Sequence, residues 1–219
     1  MTSLTYRPRS SPIATLVLAH GAGANQEHPF MVCVATGLAH EGVLVVTFDF
    51  PYTEAGRKLP DRPDVLQACM RAVIADVCTR GRKGTTLPPL FIGGKSLGAR
   101  MASHLAADGE PCVAGLVCLG YPLHPPGKPE KLRVEHLSRI QVPVLFVQGS
   151  RDPFGGAVEL GAHTGAIEGE VTIVAIEGGD HSFHVPKRVA DAGVVMHRVT
   201  GEIVRWMLRP QAQKPGAAR

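Results

Sequence analysis

The stretch Leu90-Phe91-Ile92-Gly93-Gly94-Lys95-Ser96-Leu97-Gly98-Ala99-Arg100-Met101-Ala102-Ser103-His104-Leu105 changes period abruptly. An apolar run with strand character, Leu90-Phe91-Ile92, gives way within a few residues to the helical pattern that runs from Ala99 to Leu105. Ser96 stands at the junction, with one glycine two places before it and another two places after. A chain turning this sharply strains its apex residue and crowds that residue's neighbours, so Gly94 and Gly98 supply the room. Such a turn lifts the serine Oγ to the carboxyl edge of a sheet. There it lies beside a helix N-terminus whose free N–H groups and dipole favour developing negative charge. Ser96 is therefore a candidate nucleophile on a nucleophile elbow.

On both sides of this junction short β-rich runs alternate with helical patterns, the signature of a parallel sheet covered on both faces. Strands are expected at Thr15–Ala19, Val43–Phe48, Leu90–Gly93, Gly115–Leu119, Val144–Gln148 and Val171–Ile176. Helices are expected near Phe30–His40, Pro63–Arg80, Leu97–Ala107, Gly156–Thr164 and Arg188–Leu208. Val195, Val199, Ile203 and Trp206 keep one apolar stripe on the last of these. The expected fold class is α/β: a mostly parallel central sheet flanked by helices on both faces. A length of 219 residues suits one domain, expected over residues 1–209 with 210–219 as a flexible tail. The Pro-rich run from Tyr121 to Pro129 is too short for a separate cap domain; at most it roofs a site.

Composition narrows the class further. A hydrophobic content of 44% and a charged content of 19% describe an ordinary globular chain. No run of eighteen apolar residues exists, which argues against a membrane span, and the N-terminus lacks the apolar segment of a signal peptide. A cytoplasmic protein is expected. The net charge of +4 is mild and its cations are spread along the chain, so nucleic-acid binding gains no support. Five cysteines with no C-x-x-C pair are expected to be reduced, buried small hydrophobes and not a disulfide framework or a zinc site.

A serine hydroxyl needs a base, and the base needs an acid to orient it. Asp152 lies three residues beyond Gly149, which ends one later apolar run; His181 follows the next run through the turn Glu177-Gly178-Gly179-Asp180. Ser96, Asp152 and His181 are thus the expected catalytic residues. His184 competes for the histidine role and Asp180 for the acid, although Asp180 is better placed to cap its own turn. The small residues of His20-Gly21-Ala22-Gly23-Ala24, after the first apolar run, let backbone amides approach a carbonyl oxygen. The oxyanion donors are expected to be the amides of Ala22 and Leu97, with Gly23 as the alternative to Ala22. Such a site requires neither cofactor nor metal. His20 is read as a structural ring beneath the glycine turn, and Asp49 as the anchor of a loop through a salt bridge. Lys95 and Arg100 flank the nucleophile, where long cations anchor loops or attract an acidic substrate. The mixed-charge run Arg57, Lys58, Asp61, Arg62 is expected to be solvated and is the best place for a partner contact.

With these pieces in place the chain resembles the α/β-hydrolase superfamily, whose triads follow the order Ser, Asp, His. More narrowly it is similar to the small, capless, dienelactone-hydrolase-like branch, in the group that includes a testis-expressed protein and a subunit of a chromatin acetyltransferase complex. The resemblance rests on His20-Gly21-Ala22-Gly23, Phe48-Asp49-Phe50-Pro51-Tyr52, Gly93 to Arg100, Tyr121-Pro122-Leu123-His124 and Asp180-His181-Ser182. Ser96 stands where dienelactone hydrolases carry Cys, which argues against lactone cleavage. What the resemblance implies is a serine esterase or thioesterase acting on a small acyl substrate, as monomer or homodimer. The alternative it leaves open is a hydrolase-fold complex subunit with little activity.

Overall fold

In the computed structural model, which describes residues 2–81 and 88–209, every apolar run expected to be a strand is one. In chain order the strands are Ser3–Tyr6 (β1), Ala14–Ala19 (β2), Val43–Phe48 (β3), Leu90–Lys95 (β4), Val113–Leu119 (β5), Val144–Gly149 (β6) and Val171–Ile176 (β7). The helices are Pro29–His40 (α1), Pro51–Glu54 (α2), Pro63–Gly81 (α3), Leu97–Ala107 (α4), Ala157–Ala162 (α5) and Ala192–Met207 (α6). The expected tail, 210–219, lies outside the described residues.

The strands form one sheet in the order β1-β3-β2-β4-β5-β6-β7, parallel throughout except for β1, which runs antiparallel along β3 at the edge. β1 was not legible as a strand. Ser-Leu-Thr-Tyr alternates half-buried and exposed residues, as an edge strand covered on one face does, and so lacks the continuous apolar character of its neighbours. α6 begins at Ala192 and not near Arg188. Asp191 caps it there, its side chain accepting from the Gly193 N–H at 2.8 Å.

Side chains alternate across the sheet and divide the interior in two. Val17 and Ala19 of β2 join a layer with α3 and α4, while Leu16 and Leu18 join one with α1 and α6. Each fully buried Leu or Phe in these layers contributes roughly 1.5–3 kcal/mol relative to exposure. β3 and β4 lie on opposite sides of β2, so the connections leaving β2 and β4 diverge at their carboxyl ends. That divergence opens a crevice, the usual ligand position in a sheet of this kind. The turn Gly21–Ala24 and the residue Ser96 both sit at it. The β5–β6 connection contains only the short 3-10 helix Leu137–Arg139 among the described residues, so no separate cap domain covers the crevice.

Two expectations about exposure fail. Cys33 on α1 and Cys112 before β5 are exposed, whereas Cys118 is buried. Helical spacing does not tell which face a small residue takes when Val32 and Val34 flank Cys33, and Cys112 sits at a turn with φ of 72°.

Candidate active site

Ser96 directly follows β4 and precedes the first residue of α4, with φ 51° and ψ −108°. A non-glycine residue held there costs on the order of 1–3 kcal/mol, which the surrounding structure must offset. The reason for its two glycines is visible in the packing. A Cβ on Gly94 would lie 2.5 Å from the Gly98 carbonyl carbon and 2.7 Å from the Ala19 carbonyl oxygen. One on Gly98 would lie 2.7 Å from the Ala19 carbonyl carbon and 2.8 Å from the His20 oxygen. Strand β2, the turn after it and the start of α4 thus meet backbone to backbone beneath the serine.

A hydrogen-bonded chain runs from that serine to a buried carboxylate. Ser96 Oγ lies 2.8 Å from His181 Nε2, and His181 Nδ1 lies 2.7 Å from Asp152 Oδ2. A carboxylate only accepts, so Nδ1 carries the proton and Nε2 presents its lone pair to the hydroxyl. The Asp152 side chain is fully buried and that of His181 is 19% exposed. Asp152 is held at both oxygens: Oδ1 accepts the Phe154 N–H at 2.8 Å, and Oδ2 also accepts from Gln148 Nε2 at 3.0 Å. The Phe154 ring packs on the imidazole with centroids 4.3 Å apart.

Gln148 is a neighbour of this hydrogen-bonded chain that the sequence reading does not single out. Its side chain is fully buried at the end of β6 and ties three segments together. Oε1 accepts the Tyr121 N–H at 2.8 Å, and Nε2 faces the Tyr121 carbonyl, the Gly155 carbonyl and Asp152. The signal was a glutamine in an otherwise apolar strand, Val-Leu-Phe-Val-Gln-Gly, where a buried amide requires partners.

The competing residues are occupied elsewhere. Asp180 caps its turn, Oδ1 accepting from the Ser182 and His184 N–H groups at 2.8 and 2.9 Å. Partial burial raises its pKa, but these backbone bonds and the His184 ring 3.2 Å from Oδ2 outweigh that and hold it below the ordinary value. The His184 side chain is 74% exposed and has Asp180, not Ser96, as its partner.

His20 is the structural ring expected. It is fully buried, its Nδ1–H donates to the Gly21 carbonyl at 2.8 Å, and its Nε2 accepts the Phe50 N–H at 3.2 Å. Burial lowers its pKa and keeps it neutral, so the Asp49 oxygen 3.7 Å away does not make an ion pair with it. Asp49 anchors its loop as expected, but through an amide and not a cation. It accepts from the Gln26 N–H at 2.8 Å and from Gln26 Nε2 at 3.2 Å.

Ser96 and His181 open into a cleft of about 410 Å³ whose walls include Ala22, Gly23, Leu97, Pro122 and Phe154. Leu97 heads α4, so its N–H has no acceptor within the helix. In the turn Gly21–Ala24 the Ala24 N–H is committed to the Gly21 carbonyl at 3.3 Å. Lys95, the last residue of β4, is nearly buried, its Nζ 5.8 Å from the centre of the Phe30 ring. Burial pushes its pKa down to about 8, against the opposing pull of Asp152 and Asp180. No group of His, Cys, Asp and Glu side chains among the described residues is arranged to hold a metal ion.

A family model described as an alpha/beta hydrolase domain matches residues 12–207, and the chain belongs to that family. Solved structures agree on the fold. A dienelactone hydrolase from Anabaena variabilis is 19% identical, with 93% of this chain and 89% of that one covered and a TM-score of 0.73. Est1E of Butyrivibrio proteoclasticus, seen with ferulic acid bound, is 17% identical over 97% and 96% of the two chains, with a TM-score of 0.72. A Xanthomonas campestris protein described as a serine hydrolase without a lid is 21% identical over 97% and 90%, with a TM-score of 0.71. The family and fold together define a protein of the α/β-hydrolase fold. No helix among the described residues is long and apolar enough to cross a membrane.

Proposed function

We propose that the protein is a serine hydrolase that cleaves a small carboxylic ester or thioester through an acyl-enzyme on Ser96. The observation that carries this reading is the unbroken chain Ser96–His181–Asp152, with hydrogen bonds of 2.8 and 2.7 Å. His181 Nε2 takes the Ser96 proton as Oγ attacks the acyl carbonyl, and Asp152 stabilises the imidazolium and fixes its orientation. The tetrahedral oxyanion is received by the amides of Leu97 and Ala22, both on the cleft wall. His181 then protonates the leaving group. Water attacks the acyl-enzyme by the same route in reverse, which regenerates the free serine.

The open cleft supports short acyl chains over long ones, because no cap encloses a long apolar groove. A fluorophosphonate probe tests the nucleophile directly: the folded protein takes up label and Ser96→Ala does not. Absence of label from the wild type, while a known esterase is labelled alongside, would leave a hydrolase-fold protein that acts by binding alone. Faster turnover of long-chain than of short-chain esters would refute the acyl-length reading.

A further inference from the structure

Among the described residues the cleft beside Ser96 is lined by cations and by no carboxylate: Lys95, Arg100 and Arg133 contribute to its wall, and neither Asp nor Glu does. Lys95 has Asp152 and Asp180 nearby, which offset part of the cost of its burial. The two arginines have no such carboxylates among the described residues. Arg100 Nε is buried without a hydrogen-bond partner, and its guanidinium makes no ion pair among the described residues. The Arg133 guanidinium makes one hydrogen bond, from Nη1 to the Pro122 carbonyl at 3.3 Å, and no ion pair among the described residues. Several arginines away from the cleft are paired with carboxylates. Arg57 meets Asp61, Arg139 meets Asp108, and Arg71 meets both Asp108 and Glu110.

The two guanidiniums are also close enough to repel. Partial burial, and then the Arg100 charge, pull the Arg133 pKa below its ordinary value. Arg100 lies four residues beyond Ser96 on α4, about 6 Å along the helix axis, on a face that meets the same cleft. Arg133 arrives from the β5–β6 connection, held there by the Tyr121 hydroxyl donating to its carbonyl at 2.6 Å. Two half-buried like charges with open donor positions, facing one small cleft, form a receptor for an anion.

We propose that the cleft selects an acyl substrate bearing an anionic group, carboxylate or phosphate, gripped between Arg100 and Arg133 while Ser96 meets the acyl carbon. This rests on the serine-hydrolase reading and names its substrate class. The bond cleaved and the acyl-enzyme formed are those given above; the anionic group takes no part in the chemistry.

The test compares para-nitrophenyl valerate with mono-para-nitrophenyl glutarate, which carries a carboxylate where valerate ends in a methyl. Wild type is expected to favour the glutarate ester about tenfold or more in kcat/KM at low salt, as one net charge-assisted contact supplies. The ratio should fall as salt rises. Arg100→Gln and Arg133→Gln should each reduce it, with partial recovery in Arg100→Lys. Competition by inorganic phosphate and by glutarate, compared at equal ionic strength, ranks the two anions. A ratio near one, indifferent to salt and to both substitutions, overturns the proposal while fluorophosphonate labelling of Ser96 leaves the hydrolase reading standing. Should Arg100→Gln fail to fold, the wild-type ratio, its salt dependence and Arg133→Gln decide. If neither label nor ester turnover is found, the hydrolase reading falls. Calorimetry of glutarate and of inorganic phosphate with wild type and Arg133→Gln then judges the anion site. Binding lost in the variant sustains it, and no binding to wild type overturns it.

Discussion

Lys95→Met should stabilise the protein, and the gain should depend on pH. The ammonium is nearly buried, and burial lowers its pKa from the ordinary 10.5 to about 8. The charged form is therefore disfavoured in the folded state by roughly 3 kcal/mol at pH 7. Between pH 8 and 10.5 the unfolded chain binds more protons at this site than the folded one, so this contribution makes stability rise with pH through that window. Below pH 8 the penalty is present in full; above 10.5 it is gone. Methionine occupies similar volume without charge, and the substitution forfeits the contact over Phe30, about 0.5–1 kcal/mol. The net expectation is a gain of about 2–3 kcal/mol at pH 7, shrinking to near zero at pH 10. Urea unfolding followed by the fluorescence of Trp206, the single tryptophan, measures both values on the same signal. A variant no more stable than wild type at pH 7, or a gap that stays constant from pH 7 to 10, refutes the account of Lys95 as a buried, under-compensated cation.

Gly98→Ala should lose about 3 kcal/mol, the upper end for overpacking, because the atoms its Cβ meets are backbone and cannot rotate away; a thermal melt within error of wild type would show that β2 and α4 are not in contact. Asp152→Asn should slow fluorophosphonate labelling by roughly four orders of magnitude, since an amide favours the wrong imidazole tautomer. Asp180→Ala should instead lower the melting temperature through its lost turn cap and affect labelling far less; the reverse pattern would exchange the two carboxylates. Gln148→Leu should cost about 2–4 kcal/mol by leaving the Tyr121 amide and an Asp152 oxygen short of a partner, and should reduce the labelling rate. A variant of full stability and unchanged rate would deny Gln148 its positioning role.

Ser96, Gly94 and Gly98 could be read from the sequence because their reason is local. A strand-to-helix turn this tight imposes its own residue types, and the pattern needs no knowledge of what packs against it. Asp152 and His181 were legible through a second regularity, since both follow apolar runs that end at the same sheet edge. Gln148 and Lys95 were not, because their roles come from residues far away in sequence. Gln148 bonds to Tyr121, 27 positions earlier. Lys95 stacks on Phe30, a residue of a helix on the other side of β2. Strand β1 was missed for a related reason: an edge strand shares its pattern with a polar N-terminal segment until β3 is there to pair with it.

The openness of the cleft bears on how specificity can arise in it. An enclosed apolar pocket discriminates acyl groups by the area it removes from water, and the crevice here lacks the cap such enclosure requires. Charge is the means left to it. Arg100 reaches the cleft from the same helix whose first residue, Leu97, lies beside Ser96, so any shift of α4 moves both together. Arg133 lies on the connection whose first turn, at Tyr121, is fixed by Gln148, and Gln148 also holds Asp152. The two arginines are thus tied through separate backbone routes to opposite ends of the Ser96–His181–Asp152 chain. An anion bridging them would draw together the segments that align the serine with its base. Binding of the charged group would then affect kcat as well as KM, and truncating Arg133 would lower kcat for the glutarate ester beyond the loss of affinity alone.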